Sequence, residues 1–529
     1  MINTLRSLRG MVTSPHHLAS RAGLDVLRDG GNAVEALVAT AAALAVAYPH
    51  MTWIGGDGFW IVAEPGGEPV AIEGCGAAGI AVGPDLYRKA GLAAIPWRGP
   101  LAANTVAGTV SGWAGALESA RGWGKPLALP RLLRDAIDLA EDGVVVTASQ
   151  EDLTRRKLPE LADVSGFAAT FLEGGTVPAE GRVLKQPALA ATLRRLAADG
   201  LDGFYRGRLA RMIAADLGHA GSPILAEDLA RHAWQRRMPL RARLRCAEIF
   251  NLPPPTQGVA SLMILALFDR LDVREAEGFD HVHGLVEATK QAFLIRDREV
   301  GDPAGMATDA QALLAPELLD RLAARIDRRQ ALPWPAPASA GDTVWLGAVD
   351  AAGRSASMIQ SVYFEFGSGV VLEETGITWQ NRGCSFQLTG DGPNALRPGR
   401  KPFHTLNPAL ARLADGRTMV YGTMGGDGQP QTQAAVFSRY AMFGQGLQAA
   451  VTAPRWLLGR TWGEDSVTLK LEDRFDPALP AELREVGHAV EMVASFTNAM
   501  GHAGAIVRHP SGVLEGASDP RSDGAVAGW

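Results

Sequence analysis

A proline- and alanine-rich segment that runs directly into a strand–turn–strand pattern is the feature that most constrains the fold of this chain. Residues 332–342 show no hydrophobic periodicity and offer little to bury. Two apolar segments follow, separated by residues 350–354 with the sequence Asp-Ala-Ala-Gly-Arg, which is typical of a hairpin turn. The pattern therefore predicts a linker that ends in an antiparallel hairpin, with Thr343 at the start of its first strand.

The expected register of this hairpin brings two hydroxyl groups together. Centring the turn on Ala352 places Thr343 directly opposite Ser361, and directly opposed residues have Cβ atoms about 4.5–5.5 Å apart. Cleavage before Thr343 would leave its α-amine free beside its own hydroxyl, as in an N-terminal nucleophile that carries its own general base. The alternative is an ordinary threonine at the start of a strand, because β-branched residues favour strands.

Composition restricts the class of protein. Of the 529 residues, 47% are hydrophobic and 20% are charged, which is typical of a globular chain of two or three domains. The net charge is −6 without a basic block, which argues against a nucleic-acid partner or an anionic membrane surface. Cysteines 75, 246 and 384 are far apart and odd in number, so the sequence predicts neither a disulfide framework nor a zinc ribbon.

Targeting signals are not evident in the sequence. The first ten residues lack the apolar core of a signal peptide. The segment Ala33–Tyr48 comes nearest to a membrane span, but it is alanine-rich and contains Glu35, so we interpret it as a buried helix. We expect a cytoplasmic protein.

The N-terminal part predicts alternating helices and strands. Ser14-Pro15 indicates a helix start, Gly30-Gly31 its end, and Asn32 a cap for the next helix over residues 33–47. Strands are expected over residues 59–63 and 70–72 around a Pro-Gly-Gly turn, and a helix over residues 132–142 that ends at Gly143. Residues 150–330 are largely helical in pattern, and the part after Thr343 begins rich in strands.

A second glycine-rich segment lies between a strand and a helix. Gly425 and Gly426 follow a short hairpin turned at Asp415-Gly416 and precede a helix that opens near Gln429. Two glycines in this place allow backbone N–H groups to point at one spot, which suits a developing oxyanion. Glycines between elements are more often simply turns.

Taken together, these segments resemble the γ-glutamyltransferase family of N-terminal nucleophile hydrolases, and the resemblance extends over almost the whole chain. The matching segments follow the family's order: 18–23, 30–36, 49–50, 54–59, 204–207, 227–229, 253–258, 287–293, 349–350, 366–369, 376–377, Asn381, Pro408 and 425–426.

The resemblance implies that the chain cuts itself between Asp342 and Thr343, giving a large fragment 1–342, with a linker at about 330–342, and a small fragment 343–529. Thr343 would then be the nucleophile and, through its amine, the base; Ser361 would position that amine; Gly425 and Gly426 would form the oxyanion hole. The implied fold is α+β, a four-layer αββα sandwich built by both fragments as an αβ heterodimer. Whether two heterodimers pair stays open. No cofactor or metal is implied.

The substrate-binding positions depart from those of γ-glutamyl transferases. The arginine that holds the glutamyl carboxylate is replaced at about Gly74, and the residues that hold the ammonium group or the carboxylate are replaced at five further positions: Tyr363, Arg382, Ser385, His404 and Thr405. A pocket that loses an ammonium-binding carboxylate and gains a guanidinium should reject an α-amine and attract an anion.

This pattern indicates a small amide that bears a carboxylate, and it resembles the branch of the family that hydrolyses oxamate to oxalate and ammonia. Two alternatives stay open: a γ-glutamyl hydrolase, transferase or acylase for a bulkier amide, and an unprocessed, non-catalytic relative. For Arg382 the alternative is a turn residue facing solvent, and for His404 a structural histidine.

Two further groups have mainly structural interpretations. His281, His283 and Glu287 have poor spacing for a metal on a helix, so we expect core or surface roles. Cys384 adjoins the expected pocket, where a small buried filler is favoured over a reactive thiol.

Overall fold

The computed structural model describes residues 3–334, 342–459 and 466–529, with only the backbone of Asp342. The central part of the expected linker, residues 335–341, lies outside the described residues.

The described strands are β1 Leu5–Ser7, β2 Gly10–Ser14, β3 Asp57–Ala63, β4 Val70–Gly74, β5 Val144–Val145, β6 Val183–Leu184, β7 Gln235–Arg237, β8 Leu240–Arg243, β9 Ala247–Asn251, β10 Asp342–Asp350, β11 Ser355–Tyr363, β12 Ala409–Leu413, β13 Thr418–Thr423, β14 Trp456–Leu458, β15 Leu469–Glu472, β16 Val490–Val493, β17 Ala503–Arg508, β18 Leu514–Ser518 and β19 Ala525–Gly528. The described α-helices are α1 His17–Arg28, α2 Ala33–Ala47, α3 Pro84–Lys89, α4 Thr109–Ser119, α5 Leu129–Asp142, α6 Ala148–Leu161, α7 Phe167–Phe171, α8 Pro187–Asp199, α9 Arg208–Ala220, α10 Ala226–Arg231, α11 Gly258–Arg270, α12 Phe279–Glu299, α13 Pro316–Ala323, α14 Gln429–Phe437, α15 Leu447–Thr452 and α16 Leu479–Glu485.

Two seven-stranded sheets form the centre of the molecule. The first sheet has the order β19-β2-β10-β11-β3-β4-β7, and the second has the order β1-β18-β17-β13-β12-β9-β8. All of their neighbouring strands are antiparallel. Each sheet contains strands from before and from after position 343, so neither sheet can form from one part of the chain alone.

Three hydrophobic clusters define four layers. Side chains from the inner faces of the two sheets meet in one cluster that contains Phe59, Trp345 and Ile359 of the first sheet and Val420 and Ile506 of the second. The outer face of the first sheet packs on α1, α2, α4 and α5. The outer face of the second sheet packs on α11, α12 and α14. This confirms the expected αββα sandwich.

The most apolar helix occupies the range predicted for it. Every residue of α2 is buried, and Asn32 caps it through a capping box in which Glu35 Oε2 accepts from the Asn32 N–H at 2.8 Å. Its 15 residues are too few for a span, and no described helix is long and apolar enough to cross a membrane. Helix α5 ends at Gly143, with φ of 102°, as expected, but it begins three residues earlier, at Leu129.

The predicted start of the first helix is wrong by two residues. Ser14 ends strand β2, and helix α1 begins at His17 with His16 as its N-cap. The physical reason is that the Ser14 hydroxyl is already engaged, donating to the His16 carbonyl at 3.0 Å and contacting the Ser20 hydroxyl at 2.8 Å. The His16 side chain accepts from the Leu18 N–H instead.

Candidate active site

The ends of several central strands place the candidate residues between the two sheets. Strand β10 begins, β11 ends and β3 begins at the same end of the first sheet. Successive side chains of a strand alternate between faces. Because Trp345 and Ile359 face the second sheet, Thr343 and Ser361 lie on that inner face as well. Thr343 is fully buried and Ser361 is almost so.

The hairpin register is as predicted except at Thr343. Pairs from Val344 and Gln360 to Val349 and Ser355 follow the turn centred on Ala352. The register then shifts, because Asp342 pairs with Tyr363, so β11 has a β-bulge in which Ser361 and Val362 lie opposite Thr343 alone and no regular pair of Thr343 and Ser361 forms. A bulge sets two residues against one and redirects the local side chains, and such irregularities are common next to active sites.

The indole of Trp345, two residues after Thr343, packs against the second sheet. A Cβ atom at Gly422 would lie 2.1 Å from this indole, and one at Gly504 would lie 2.5 Å from it. The ring therefore fills the space that side chains at these two glycines would occupy. Its Nε1–H donates to the Ser357 hydroxyl at 3.0 Å. This packing fixes the end of β13, from which the glycine pair continues.

The glycine pair lies in a turn with left-handed backbone conformations. Gly425 and Gly426 have φ of 116° and 52°, a left-handed region that favours glycine. The Gly428 N–H closes the turn onto the Gly425 carbonyl at 2.7 Å. Within the described part of the chain, the N–H groups of Gly425 and Gly426 donate to no recorded acceptor. Two adjacent unpaired donors suit a developing oxyanion.

Gln257 connects the glycine pair to the expected substrate-binding loop. Its Nε2 donates to the carbonyls of Thr405 at 2.9 Å and Gly426 at 2.8 Å. Its Oε1 accepts from Arg296, which also forms a buried ion pair with Asp427 at 2.8 Å. The Pro-Pro-Pro-Thr-Gln-Gly motif, which precedes Thr343 in the sequence, thus holds two loops that follow it, those of Thr405 and Gly426, at a fixed separation.

Tyr363 forms a rigid wall beside Ser361. Its backbone N–H donates to the Ser361 hydroxyl oxygen at 2.8 Å. Its φ is +86°, which is uncommon for an aromatic residue and is typically retained where surrounding contacts enforce it. The ring contacts Phe364, at 4.5 Å between centroids.

Arg382 is a buried cation, and part of its guanidinium group makes no hydrogen bond to a described residue. Its side chain is 1% exposed, and its Cζ lies 3.5 Å from the centroid of the Tyr363 ring. Nη1 donates to the Thr405 hydroxyl at 3.1 Å. The Nε and Nη2 groups have no hydrogen-bond partner among the described residues. The solvent-facing alternative is therefore wrong, and an unpaired buried guanidinium favours an anionic ligand.

His404 pairs with an acid that the sequence reasoning did not single out. Its Nε2 lies 3.0 Å from Asp57 Oδ2, and its Nδ1 accepts from the Leu406 N–H at 3.4 Å. Both ring nitrogens are therefore engaged within the protein. Burial lowers the pKa of His404 well below its ordinary value, with Arg382 as the second cause, so the ring is neutral.

Asp57 is a fully buried carboxylate that accepts several hydrogen bonds from the protein. Its Oδ1 accepts from the Gly76 and Gly108 N–H groups, each at 3.0 Å, and from Gln380 Nε2 at 3.2 Å. Burial raises the pKa of Asp57 to about 7, and these hydrogen bonds oppose that rise. In the sequence, the one local indication of a special role for Asp57 is its position between glycines, in Gly-Gly-Asp-Gly at residues 55–58.

Ser385 and Cys384, the remaining residues considered from the sequence, are only partly buried. Ser385 is half-buried, and its hydroxyl donates to the Phe403 carbonyl at 3.3 Å. Cys384 packs on Tyr363 and Phe364, and burial raises the pKa of its thiol to about 12, which favours a packing role. A cavity of about 820 Å³ is lined by residues such as Met238 and Pro303, and none of the candidate residues lines it.

Two buried groups have the composition of metal ligands: Asp57, Cys75 and His404 in one, and His283, Glu287 and His488 in the other. In the first group Asp57 pairs with His404, and the Cys75 thiol donates to the Gly76 carbonyl at 3.8 Å. In the second group His283 contacts His488 at 2.9 Å, and Lys290 donates to Glu287 at 2.7 Å. That ammonium repels a cation, so these residues form a structural network, in line with the expected core role of His283 and Glu287.

Comparisons with known proteins agree with this geometry. The chain is 56% identical over 524 residues to the oxamate amidohydrolase proenzyme of Klebsiella pneumoniae, with 99% of each chain covered. It is 39% identical over 521 residues to the glutathione hydrolase-like YwrD proenzyme of Bacillus subtilis, with 98% of each covered. The crystal structure of cephalosporin acylase from Bacillus halodurans superposes with a TM-score of 0.92 at 33% identity, covering 100% of this chain and 97% of that one.

The family described as gamma-glutamyltranspeptidase matches residues 19–529. Fold, sequence and relatives therefore agree that the chain is an amidohydrolase of the N-terminal nucleophile type and belongs to the gamma-glutamyltranspeptidase family.

Proposed function

We propose that this protein is a self-processing threonine amidohydrolase that hydrolyses oxamate to oxalate and ammonia. The observation that carries the proposal is the buried Arg382 guanidinium, whose Nε and Nη2 nitrogens have no hydrogen-bond partner among the described residues. A small substrate with a carboxylate supplies the missing acceptor. The name of the Klebsiella pneumoniae relative supports the same substrate.

Maturation begins in the intact chain. The Thr343 hydroxyl attacks the Asp342 carbonyl carbon, and the N→O acyl shift turns the peptide bond into an ester. Hydrolysis of the ester yields fragments 1–342 and 343–529 and frees the Thr343 amine. Because both fragments contribute strands to both sheets, they stay together as an αβ heterodimer.

In the mature enzyme the Thr343 amine accepts the hydroxyl proton while the oxygen attacks the amide carbon of oxamate. An ordinary α-amine pKa of about 7.7–8.0 suits this role. The N–H groups of Gly425 and Gly426 bind the oxyanion, ammonia leaves with the returned proton, and water then hydrolyses the oxalyl ester. Ser361 positions the amine from the neighbouring strand.

The carboxylate of oxamate binds Arg382 through Nε and Nη2, while Thr405 holds Nη1. The Tyr363 ring packs against the guanidinium and reduces the space available to the substrate. His404 is engaged with Asp57 and Leu406, so it acts by holding the Thr405 loop. Ser385, whose hydroxyl is bound to Phe403, offers no charge to an α-ammonium group, so γ-glutamyl amides are rejected.

The test is a substrate panel with the purified protein. Ammonia and oxalate are measured in equal amounts from oxamate, with a γ-glutamyl amide and a bulkier acyl amide as comparison substrates. Release from oxamate alone supports the proposal. Ammonia or amine release from either comparison substrate, without turnover of oxamate, would replace it by one of the broader activities.

A further inference from the structure

Asp57 occupies a position from which its charge acts on any anion bound in the site. It lies on the inner face of β3, and it pairs directly with Ser361 on β11. Its Oδ2 reaches His404, whose neighbour Thr405 holds Arg382. The positive charge of Arg382 also lowers the pKa of Asp57, after the larger effects of burial and hydrogen bonding, so the carboxylate lies within electrostatic reach of the guanidinium as well as beside Ser361.

The hydrogen bonds around Asp57 are those of an ionised carboxylate. Three N–H donors point at Oδ1, from Gly76, Gly108 and Gln380. The His404 Nδ1 accepts from Leu406, so the ring proton is on Nε2 and is donated to Oδ2. With four donors and no acceptor among the described residues, these contacts favour the ionised form, which prevails above the raised pKa of about 7.

The charge of the reactant and of the product differ in the proposed reaction. Oxamate is a monoanion; with one water it becomes the oxalate dianion and an ammonium ion, so atoms and charge balance. A fixed negative charge opposes a dianion twice as strongly as a monoanion at the same distance, because Coulomb energy is linear in charge.

We propose that Asp57 is a specificity-determining residue whose negative charge weakens binding of the dianionic product relative to monoanionic ligands. This inference rests on the proposed function for its meaning, since only hydrolysis of a monoanionic amide yields such a product. Arg382 attracts both ions, and Asp57 limits the affinity for the product and so favours its release.

The test compares the matched ligands oxalate and pyruvate, a dianion and a monoanion of similar size, by titration calorimetry at pH 8.5. Asp57→Asn removes the charge and retains the shape of the side chain. We expect its Kd for pyruvate to fall by about fivefold, an order-of-magnitude value for one charge at partial screening. The Kd for oxalate should fall by about the square of that factor. Asp57→Ser, a second neutral variant, should shift the two constants in the same direction.

His404→Gln is the control for hydrogen bonding. It leaves the Asp57 charge in place and retains a donor towards Oδ2, so the ratio of the two Kd values should remain that of the unmodified enzyme. Equal changes of both Kd values in the Asp57 variants, or weaker binding of both, would overturn the inference. Because calorimetry needs no turnover, a failure of oxamate hydrolysis is seen separately and refutes only the proposed function.

Discussion

Replacing Arg382 by methionine separates a binding role of this residue from a structural one. The variant removes the charge but keeps a long side chain on the Tyr363 ring. If the substrate carboxylate accepts from Nε and Nη2, the variant loses a charge-assisted contact of about 1.5–3 kcal/mol. At about 1.4 kcal/mol per factor of ten, KM for oxamate should rise by about 10- to 150-fold.

The same substitution should not destabilise the enzyme without substrate. Arg382 is buried with one neutral hydrogen bond, to Thr405. No described carboxylate lies within ion-pair distance, although its charge lowers the pKa of Asp57, which can take up a proton when that charge is removed. An apolar side chain of similar length removes the cost of burying that charge. We therefore expect the melting temperature of the Arg382→Met variant to be equal to or above that of the unmodified enzyme.

Steady-state ammonia release and thermal unfolding test both parts of the prediction. Arg382→Lys is the matched control, since it keeps the charge and loses the planar pair of donors, so its KM should lie between the other two. A KM within twofold of the unmodified enzyme in the methionine variant, or a clear fall in its melting temperature, would refute the reasoning.

Three other predictions follow from the described contacts. Gly425→Ala forces a side chain onto φ of 116° and displaces an oxyanion donor, so kcat should fall by about 10²–10³ with KM retained; Gly66→Ala, with φ of 74° and open space around its Cβ, should leave kcat unchanged. Arg296→Met removes the ion-pair partner of the buried Asp427 and should lower the free energy of unfolding, measured with denaturant, by about 3–5 kcal/mol. The double variant Arg296→Met/Asp427→Asn should lower it by less than the single change. Burial lowers the pKa of seven histidines: His16, His50, His232, His281, His404, His488 and His502. Below about pH 6.5 these histidines bind protons in the unfolded chain but not in the folded one, so the free energy of unfolding should decrease as the pH is lowered. A free energy of unfolding that stays constant from pH 7 to 5 would contradict this.

Features set by short-range chemistry were predictable from the sequence. The range of α2 and its Asn32 cap follow from one polar residue before an apolar run, and the turn at Ala352 follows from Asp, Gly and Arg spacing. The bulge at Thr343 was not predictable, because it depends on how β11 ends against β10. The alternation of residues in two neighbouring strands does not show where one strand has an extra residue.

The role of Asp57 was hidden for a different reason. Its four partners come from distant parts of the chain, at Gly76, Gly108, Gln380 and His404. Only the stacking of both sheets brings them together, so no spacing rule could identify them. The same holds for Gln257, which lies before position 343 and holds Thr405 and Gly426, which lie after it. Arg382, in contrast, was visible as a change of charge against the family pattern.

The central claim is that Thr343 becomes the N-terminal nucleophile, and mass analysis during turnover tests it most directly. The protein is mixed with oxamate, quenched in acid and examined intact and after digestion. We expect a small fragment of 187 residues that begins at Thr343 and carries one oxalyl group on its first residue. Ammonia release by an uncleaved chain of 529 residues, or an oxalyl group on any other residue, would contradict it.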